Sequence, residues 1–286
     1  MMVVLGLAAG ALAVVFLRIG APDLLAAPTL ARENYRGHRL PTAAGILIVV
    51  AVLVVEAGRA VLGGLGVGDR AGLTVDRSLV LFAVFAFGLL GFVDDVLGDA
   101  SARGFTGHVG ALFRGRITTG FLKLFGGAAV AVVLVATPGF ASGRRLIIDA
   151  VLIALAANLG NLLDRAPGRT LKAALVAYVP LAFVLGAGSA GVAIAPAMGA
   201  ALALLPDDLR ERVMLGDTGA NIVGAVLGLG IVLGRGETTR VTALVVVIVL
   251  TVVAEVGSIS RIIDRVPPLR WLDRLGATRA RREWPT

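Results

Sequence analysis

Nine stretches of mostly apolar residues, each close to 20 residues long, dominate this sequence. A helix needs about 20 apolar residues to cross the roughly 30 Å hydrocarbon layer of a bilayer. The stretches cover about residues 2–19, 42–62, 78–97, 119–137, 147–163, 171–187, 188–205, 218–234 and 240–260. Hydrophobic residues make up 57% of the chain and the mean hydropathy is +0.91. We therefore predict an all-α fold, a polytopic transmembrane helix bundle of about nine to ten transmembrane helices.

The chain divides into a membrane domain over residues 1–260 and a basic tail over residues 261–286. The first apolar run lacks a basic leading segment and a small-residue cleavage site, so we expect a retained helix rather than a signal peptide. The tail alternates apolar and charged side chains, which predicts an amphipathic helix on the headgroups of the cytoplasmic face. The residues concerned are Leu269, Arg270, Trp271, Leu272, Asp273, Arg274 and Leu275.

Basic residues are distributed unevenly between the two ends of the predicted helices. With the N-terminus outside, one side carries 20 of the 27 Lys and Arg residues and the other side carries 7. Because basic residues accumulate in cytoplasmic loops, the side with 20 is predicted to face the cytoplasm. The net charge of +8 then suits lipid headgroups and anionic substrates, and we expect no nucleic-acid partner. The absence of cysteine excludes disulfides, thiolate metal sites and cysteine nucleophiles.

Several oxygen-bearing side chains fall at this predicted cytoplasmic side. The segment GFVDDVLGD (residues 91–99) ends the third stretch with Asp94 and Asp95, and NLGNLLDR (158–165) ends the fifth. MLGDTGAN (214–221) opens the eighth, and Lys123 lies one turn into the fourth. The candidate site residues are Asp94, Asp95, Lys123, Asn158, Asn161, Asp164 and Asp217.

Each of these residues also has a purely structural interpretation. A single aspartate at a membrane boundary is usually a helix cap or a solvated helix end, and the asparagines could simply join neighbouring helices. Asp207 and Asp208 follow Pro206 and are interpreted as an ordinary polar helix start. Adjacent Asp94 and Asp95 are harder to explain in this way, because two like charges beside a low-dielectric region repel each other. A divalent cation or a substrate would relieve that repulsion, which favours a functional role.

The kinds of ligand atom that these side chains offer indicate which cation would bind. Oxygen ligands without histidine or cysteine favour a hard ion, Mg²⁺ above all with Mn²⁺ as a substitute, and Mg²⁺ commonly bridges to phosphates. Surrounding Arg and Lys side chains would hold further phosphate charge. Phosphoryl transfer between a soluble donor and a lipid phosphate fits a site at the cytoplasmic interface.

GFVDDVLGD, NLGNLLDRAPG and VMLGDTGAN, in this order, resemble the polyprenyl-phosphate N-acetylhexosamine-1-phosphate transferases. NYRGHRLPTAAG (34–45) and TGFLKLFGG (119–127) extend the resemblance, which runs from about residue 34 to 221. It implies an enzyme that transfers a sugar-1-phosphate from a UDP-sugar to undecaprenyl phosphate, releases UMP and uses Mg²⁺. It also implies a protein of the bacterial cytoplasmic membrane with a cytoplasmic active site, in the first membrane step of a cell-envelope glycan pathway. Members of this family can form homodimers.

The resemblance assigns a role to each candidate residue. Asp94 and Asp95 would be catalytic, with one of them as the base that handles the lipid phosphate or its proton. Asp217, together with Asp95, would bind the metal. The side chains that would line the nucleotide-sugar pocket are Lys123, Asn158, Asn161 and Asp164.

The sequence also departs from the family pattern. Where family members often continue the asparagine motif as Asp-Gly-x-Asp-Gly, Pro167 replaces the second aspartate, and Arg165 adds charge. The late histidine-rich loop is missing, since His38 and His108 are the two histidines of the chain. These differences favour a transferase other than the peptidoglycan translocase. They also motivate an alternative, a non-catalytic homologue that binds lipid phosphate as a scaffold or regulator. An ion-coupled transporter is disfavoured, because its acids are expected near the bilayer midplane.

Overall fold

The computed structural model describes residues 1–68, 72–98, 118–136, 142–257 and 259–278. Within these ranges the chain forms eleven α-helices and one two-stranded sheet. The helices are α1 (Met2–Gly20), α2 (Ile46–Gly64), α3 (Val75–Leu97), α4 (Thr119–Val135), α5 (Gly143–Leu163), α6 (Arg169–Leu185), α7 (Ser189–Leu209), α8 (Gly216–Gly234), α9 (Glu237–Val256), α10 (Ile259–Arg265) and α11 (Pro267–Arg274). The strands are β1 (Ala31–Glu33) and β2 (Arg39–Pro41).

Each of the nine predicted apolar stretches corresponds to one of the helices α1 to α9. Among the described residues, seven helices are long and apolar enough to cross a membrane, namely α1, α2, α3, α5, α7, α8 and α9. Helices α4 and α6 have 17 residues each, slightly fewer than a bilayer crossing usually takes. The all-α, polytopic character of this integral membrane protein is thus confirmed, and the total of nine to ten spans stays a prediction.

Some of the residues used in the sequence analysis lie outside the described ranges. They are Arg70, Asp99, Arg103, His108, Arg114, Arg116, Arg279, Arg281 and Arg282.

Helix boundaries follow from local capping. Thr74, Thr118 and Ser142 precede α3, α4 and α5, and each side-chain oxygen accepts a hydrogen bond from the backbone N–H three residues later. These bonds satisfy donors that the first helical turn leaves unpaired.

Helix α8 lies at the centre of the bundle, in contact with α3, α5, α6 and α7. Two glycines allow the close approach of α3 and α5. A β-carbon at Gly91 would collide with the carbonyl oxygen of Asp217, and one at Gly160 would collide with that of Ala220. Close backbone packing through small residues is typical of membrane helices. Here it brings the ends of α3 and α5 against the start of α8.

The segment between α1 and α2 contains an antiparallel hairpin in which Arg32 pairs with Leu40. Its end is tied to the connection between α7 and α8, because Met214 N–H donates to Pro41 O at 2.7 Å and Ala44 N–H donates to Met214 O at 3.1 Å. The hairpin was not expected from the sequence, since its three-residue strands are too short to show a periodic pattern.

The tail folds back onto the bundle. Arg169, at the start of α6, forms a two-pronged ion pair with Asp273 of α11 at 2.8 and 3.2 Å. Lys172 donates to the carbonyls of Leu272 at 2.8 Å and Leu275 at 3.2 Å. Helix α11 covers most of the predicted amphipathic segment, and its contact with a membrane surface stays a prediction, as does the domain boundary at residue 260.

Candidate functional site

The carboxylate of Asp95 binds the N-terminus of α8. Its Oδ1 accepts from Asp217 N–H at 3.0 Å, and its Oδ2 accepts from Thr218 N–H at 2.9 Å and Thr218 Oγ1 at 2.6 Å. The helix dipole also favours an anion at this position. Gly216 has a φ of +71°, and a β-carbon there would lie 2.6 Å from Asp95 Oδ2. Asp95 therefore joins α3 to α8 and orients Asp217.

Asp217 is the centre of a second set of contacts. Its carboxylate meets the ammonium of Lys123 through Oδ2 and the amide of Asn161 through Oδ1. Lys123 Nζ also donates to Asp94 Oδ2 at 2.9 Å. Side chains from α3, α4, α5 and α8 thus converge at one end of the bundle. Five of the seven candidate residues, Asp95 included, are brought together in this way.

Asn158 and Asp164 lie further from the centre. Asn158 is half-buried on α5, one turn before Asn161, and in the structure as described no side-chain hydrogen bond joins it to the cluster. Asp164 follows the last residue of α5. Burial raises the pKa of Asp164 well above its usual range, and the nearby carboxylates of Asp208, Asp217 and Asp95 add to the rise.

A cavity of about 290 Å³ opens beside Asp164. Its walls come from the hairpin segment, the α5–α6 connection and the α7–α8 connection. Besides Asp164, its polar lining includes Asn34, Tyr35, Arg165, Asp208 and Glu211. Pro167 lines the same cavity.

The interpretation of Asp207 and Asp208 as a polar helix start is wrong. Both lie in the last turn of α7, with 1% and 5% of their surfaces exposed. Asp208 Oδ2 accepts from Gly168 N–H at 2.8 Å, and Asp207 pairs with Arg18. Pro206 suggested a helix start because proline favours the first turn, but α7 continues through it. Two acids at a helix C-terminus oppose the helix dipole, and that signal could have revealed their structural role.

Glu211 is a further residue that the sequence analysis missed. Its carboxylate accepts from Asn34 Nδ2 at 3.0 Å, Tyr35 Oη at 3.2 Å, Arg36 Nη1 at 3.2 Å and Thr278 Oγ1 at 3.1 Å. It thereby ties the hairpin turn and the tail to the α7–α8 connection. Its φ of +54° is uncommon for a residue other than glycine, and no sequence pattern indicated it.

Two carboxylates of the cluster are placed to fit a divalent cation. Asp94 and Asp217 contact the same ammonium group, so their carboxylates are close enough to share a cation. Both oxygens of Asp95 are already engaged by the N-terminus of α8. Within the described ranges, no group of three or more Asp, Glu, His or Cys side chains is arranged to hold a metal ion. Two carboxylates still fit Mg²⁺, which usually keeps several waters and takes further oxygens from substrate phosphates.

The fold and the site define a polytopic helical membrane protein with a carboxylate and ammonium cluster at one end of its bundle. No family model matches the chain. The chain is 30% identical over 199 residues to a phospho-N-acetylmuramoyl-pentapeptide-transferase of Deinococcus radiodurans, covering 65% of this chain and 59% of that protein. The chain thus matches less than two thirds of the length of this curated relative. The similarity supports a relationship to the enzymes that transfer a phospho-sugar to polyprenyl phosphate, without singling out one member of that group.

Proposed function

We propose that this protein transfers a sugar-1-phosphate of the N-acetylhexosamine type from a UDP-sugar to polyprenyl phosphate and releases UMP. The observation that carries this proposal is the convergence of Asp94, Lys123, Asn161 and Asp217 from four helices at one end of the bundle. The similarity to the pentapeptide-transferase, a phosphotransferase by its name, points to the same class of reaction. A site at a helix end suits a membrane-bound acceptor and a water-soluble donor.

In the reaction, an oxygen of the lipid phosphate attacks the β-phosphorus of the UDP-sugar. A new P–O bond forms, the bond to the α-phosphate oxygen breaks, and UMP leaves. Asp94 takes the proton of the lipid phosphate where that group is protonated. Lys123, between two carboxylates, balances their charge and lies close enough to bind the diphosphate.

Asp94 and Asp217 would hold Mg²⁺, which supplies electrostatic neutralisation of the diphosphate when bound. Asp95, predicted from the sequence as a metal ligand and base, acts in this proposal by positioning Asp217 through the N-terminus of α8. Asn161 orients Asp217, while Asp164 and Asn158 lie on the side of the cluster where the UDP-sugar would bind. The cavity beside Asp164 provides room next to the cluster.

The proposal places the protein in the bacterial cytoplasmic membrane with the cluster on the cytosolic side, where UDP-sugars occur. Its partners are the polyprenyl phosphate, the UDP-sugar and the membrane. A homodimer, as in the resembled family, stays a prediction.

The test is an assay of purified protein with undecaprenyl phosphate, Mg²⁺ or Mn²⁺, and a panel of UDP-sugars, with UMP as the measured product. We expect UMP from at least one donor and its loss in the Asp217→Asn variant. Asp23→Asn, which alters an exposed carboxylate away from the cluster, serves as the matched control and should stay active. Folded wild-type protein that yields no UMP from any donor would contradict the proposal.

A non-catalytic lipid-phosphate binder is the second candidate. It is favoured by Pro167 in the cavity wall and by the contacts that already occupy both carboxylate oxygens of Asp217. In this case, Asp94→Asn and Asp217→Asn variants would still support growth of the host under conditions that require the gene. Loss of growth in both variants would favour the enzyme.

A further inference from the structure

Four arginines gather at the end of the bundle opposite to the Asp217 cluster. Arg144 and Arg145 lie in the first turn of α5, Arg235 follows α8, and Arg240 lies in the first turn of α9. Among the described residues, the acids paired with them are Asp149 and Glu237. Counted over these six side chains, positive charge exceeds negative charge by two.

Two of the arginines are engaged by one buried acid. Arg240 Nη1 donates to Asp149 Oδ2 at 2.7 Å, and both residues are nearly inaccessible to solvent. Arg145 Nε lies 3.8 Å from the same oxygen. The charge of Asp149 is thus balanced by Arg240 and Arg145, and this pairing holds the starts of α5 and α9 together.

The other two arginines, Arg144 and Arg235, are less firmly engaged. Arg144 pairs with Glu237 at 2.7 Å, but their side chains are 74% and 56% exposed, and such surface pairs contribute little. The Nε of Arg235 is buried and has no hydrogen-bond partner within the described part of the chain. Both guanidinium groups can therefore accept an anionic ligand at little cost.

Other arginines at this end of the bundle have a buried carboxylate partner, which distinguishes them from Arg235 in the described part of the chain. Arg59 and Arg77 both bind the buried Glu56, at 2.7 Å in each case, so each guanidinium group at the ends of α2 and α3 that meet there has a carboxylate partner. Basic residues are disfavoured on the side of a membrane protein that faces away from the cytoplasm. Unmatched arginines there call for a ligand.

We propose that Arg144 and Arg235, supported by Arg145 and Arg240, bind the phosphate group of an anionic phospholipid in the leaflet opposite to the Asp217 cluster. These four residues are called the arginine surface. Guanidinium groups bind phosphate oxygens through paired hydrogen bonds. The N-termini of α5 and α9 add partial positive charge at the same place.

Apolar surface next to the arginines favours a lipid over soluble phosphate. Ile147 and Val151 on α5 are 61% and 37% exposed, and Val245 on α9 is 53% exposed. Along α9, Arg240 and Ala254 are the buried residues, so most of this helix is free to face acyl chains. A ligand with a phosphate and a hydrocarbon chain matches both features.

The test measures binding of phosphatidylglycerol and phosphatidylcholine to the purified full chain by native mass spectrometry. We expect Arg235→Gln to weaken phosphatidylglycerol binding about fivefold and Arg144→Gln/Arg235→Gln about twentyfold, since each arginine near a membrane surface contributes roughly 1 kcal/mol. Arg59→Gln is the matched control at the same end, because that arginine is already paired with the buried Glu56, and phosphatidylglycerol binding should stay within about twofold of wild type. Thermal unfolding of each variant confirms folding.

Two results would overturn the proposal. The first is equal loss of phosphatidylglycerol binding in Arg235→Gln and Arg59→Gln, or no loss in either. The second is displacement of the lipid by millimolar inorganic phosphate, which would assign the arginine surface to a soluble anion. None of these variants touches Asp94 or Asp217, so the outcome is independent of the transferase assay.

Discussion

Lys123 occupies the position between two carboxylates that a divalent cation would otherwise neutralise. Its ammonium donates to Asp94 at 2.9 Å and contacts Asp217, so ammonium and metal compete for the same oxygens. In a Lys123→Met variant the carboxylates lose this cation and repel each other. We predict that Mn²⁺, used as a probe without substrate, binds this variant about tenfold more tightly, the effect of one close charge on a carboxylate.

Electron paramagnetic resonance of free Mn²⁺ during a titration measures this affinity. Lys123→Arg keeps the positive charge and should resemble wild type. If Lys123→Met bound Mn²⁺ no more tightly than Lys123→Arg, the two carboxylates would not form the metal position proposed for them.

Asp95 contributes to stability through its bonds to the start of α8. Three donors from Asp217 and Thr218 point at its carboxylate, and hydrogen bonds to charged groups are worth roughly 1.5–3 kcal/mol each. We predict that Asp95→Ala lowers the free energy of unfolding by about 3 kcal/mol. Thr218→Val, which removes only the hydroxyl contact, should cost about 1.5 kcal/mol.

Denaturant or thermal unfolding in detergent, followed by circular dichroism, gives these values. Asp23→Asn provides the baseline for an exposed carboxylate at the surface. Stability of Asp95→Ala equal to that baseline would mean that Asp95 does not hold α8, and would leave it the catalytic and metal-binding roles expected from the sequence.

At the level of whole elements, sequence patterns predicted the helices far better than the connections. The apolar runs alone located α1 to α9, because burial in lipid requires long continuous stretches. Capping residues such as Thr74 and Ser142 refine where those helices begin. Glu211 and Asp208 act through long-range contacts, to the hairpin turn and to Gly168 respectively. Such contacts have no sequence period, so only the folded chain reveals them.

The tail element is held by a buried ion pair whose disruption should release it from the bundle. In Asp273→Leu, Arg169 would remain buried without its partner, which is strongly unfavourable. We predict that α11 then undocks so that water can reach Arg169, and that trypsin cleaves at Arg265 and Arg270 about tenfold faster. The double variant Arg169→Met/Asp273→Leu replaces the pair with apolar side chains and should restore most of the protection.

Cleavage rates are read from gel electrophoresis of the intact protein over time. Asp264→Asn is the control, because its pair with Arg274 is long, at 3.3 Å, and partly exposed. Equal rates for Asp273→Leu and Asp264→Asn would show that the Arg169–Asp273 pair does not hold the tail.

Across the whole molecule, long-range contacts agree with the sequence prediction of which helix ends lie on the same side of the membrane. None of these contacts was used to make that prediction. Arg18 pairs with Asp207, Arg32 donates to Val96 O at 2.9 Å, and Lys123 bonds Asp94. The first contact joins the ends of α1 and α7, the second joins strand β1 to the end of α3, and the third joins the end of α3 to the start of α4, as alternate crossing requires. The sequence could therefore predict which ends share a face. It could not predict that Asp95 would contact α8 while Asp94 contacts Lys123. Adjacent side chains on a helix differ in direction by about 100°, and helix packing decides which neighbouring helix each of them faces.

Orientation in the membrane is the prediction on which the transferase proposal depends, because a UDP-sugar reaches only the cytosolic face. The chain contains no cysteine, so single cysteines can be introduced without background labelling. Arg210 lies at the end of the bundle that carries the cluster, Thr238 lies in the first turn of α9 at the opposite end, and both are exposed. We expect a membrane-impermeant maleimide to label Thr238→Cys in intact spheroplasts, and to label Arg210→Cys only after permeabilisation, since the sequence predicts 20 of the 27 basic residues on the Arg210 side. The reverse pattern would place Asp94 and Asp217 on the outer face, where the proposed donor is absent, and would exclude the proposed reaction.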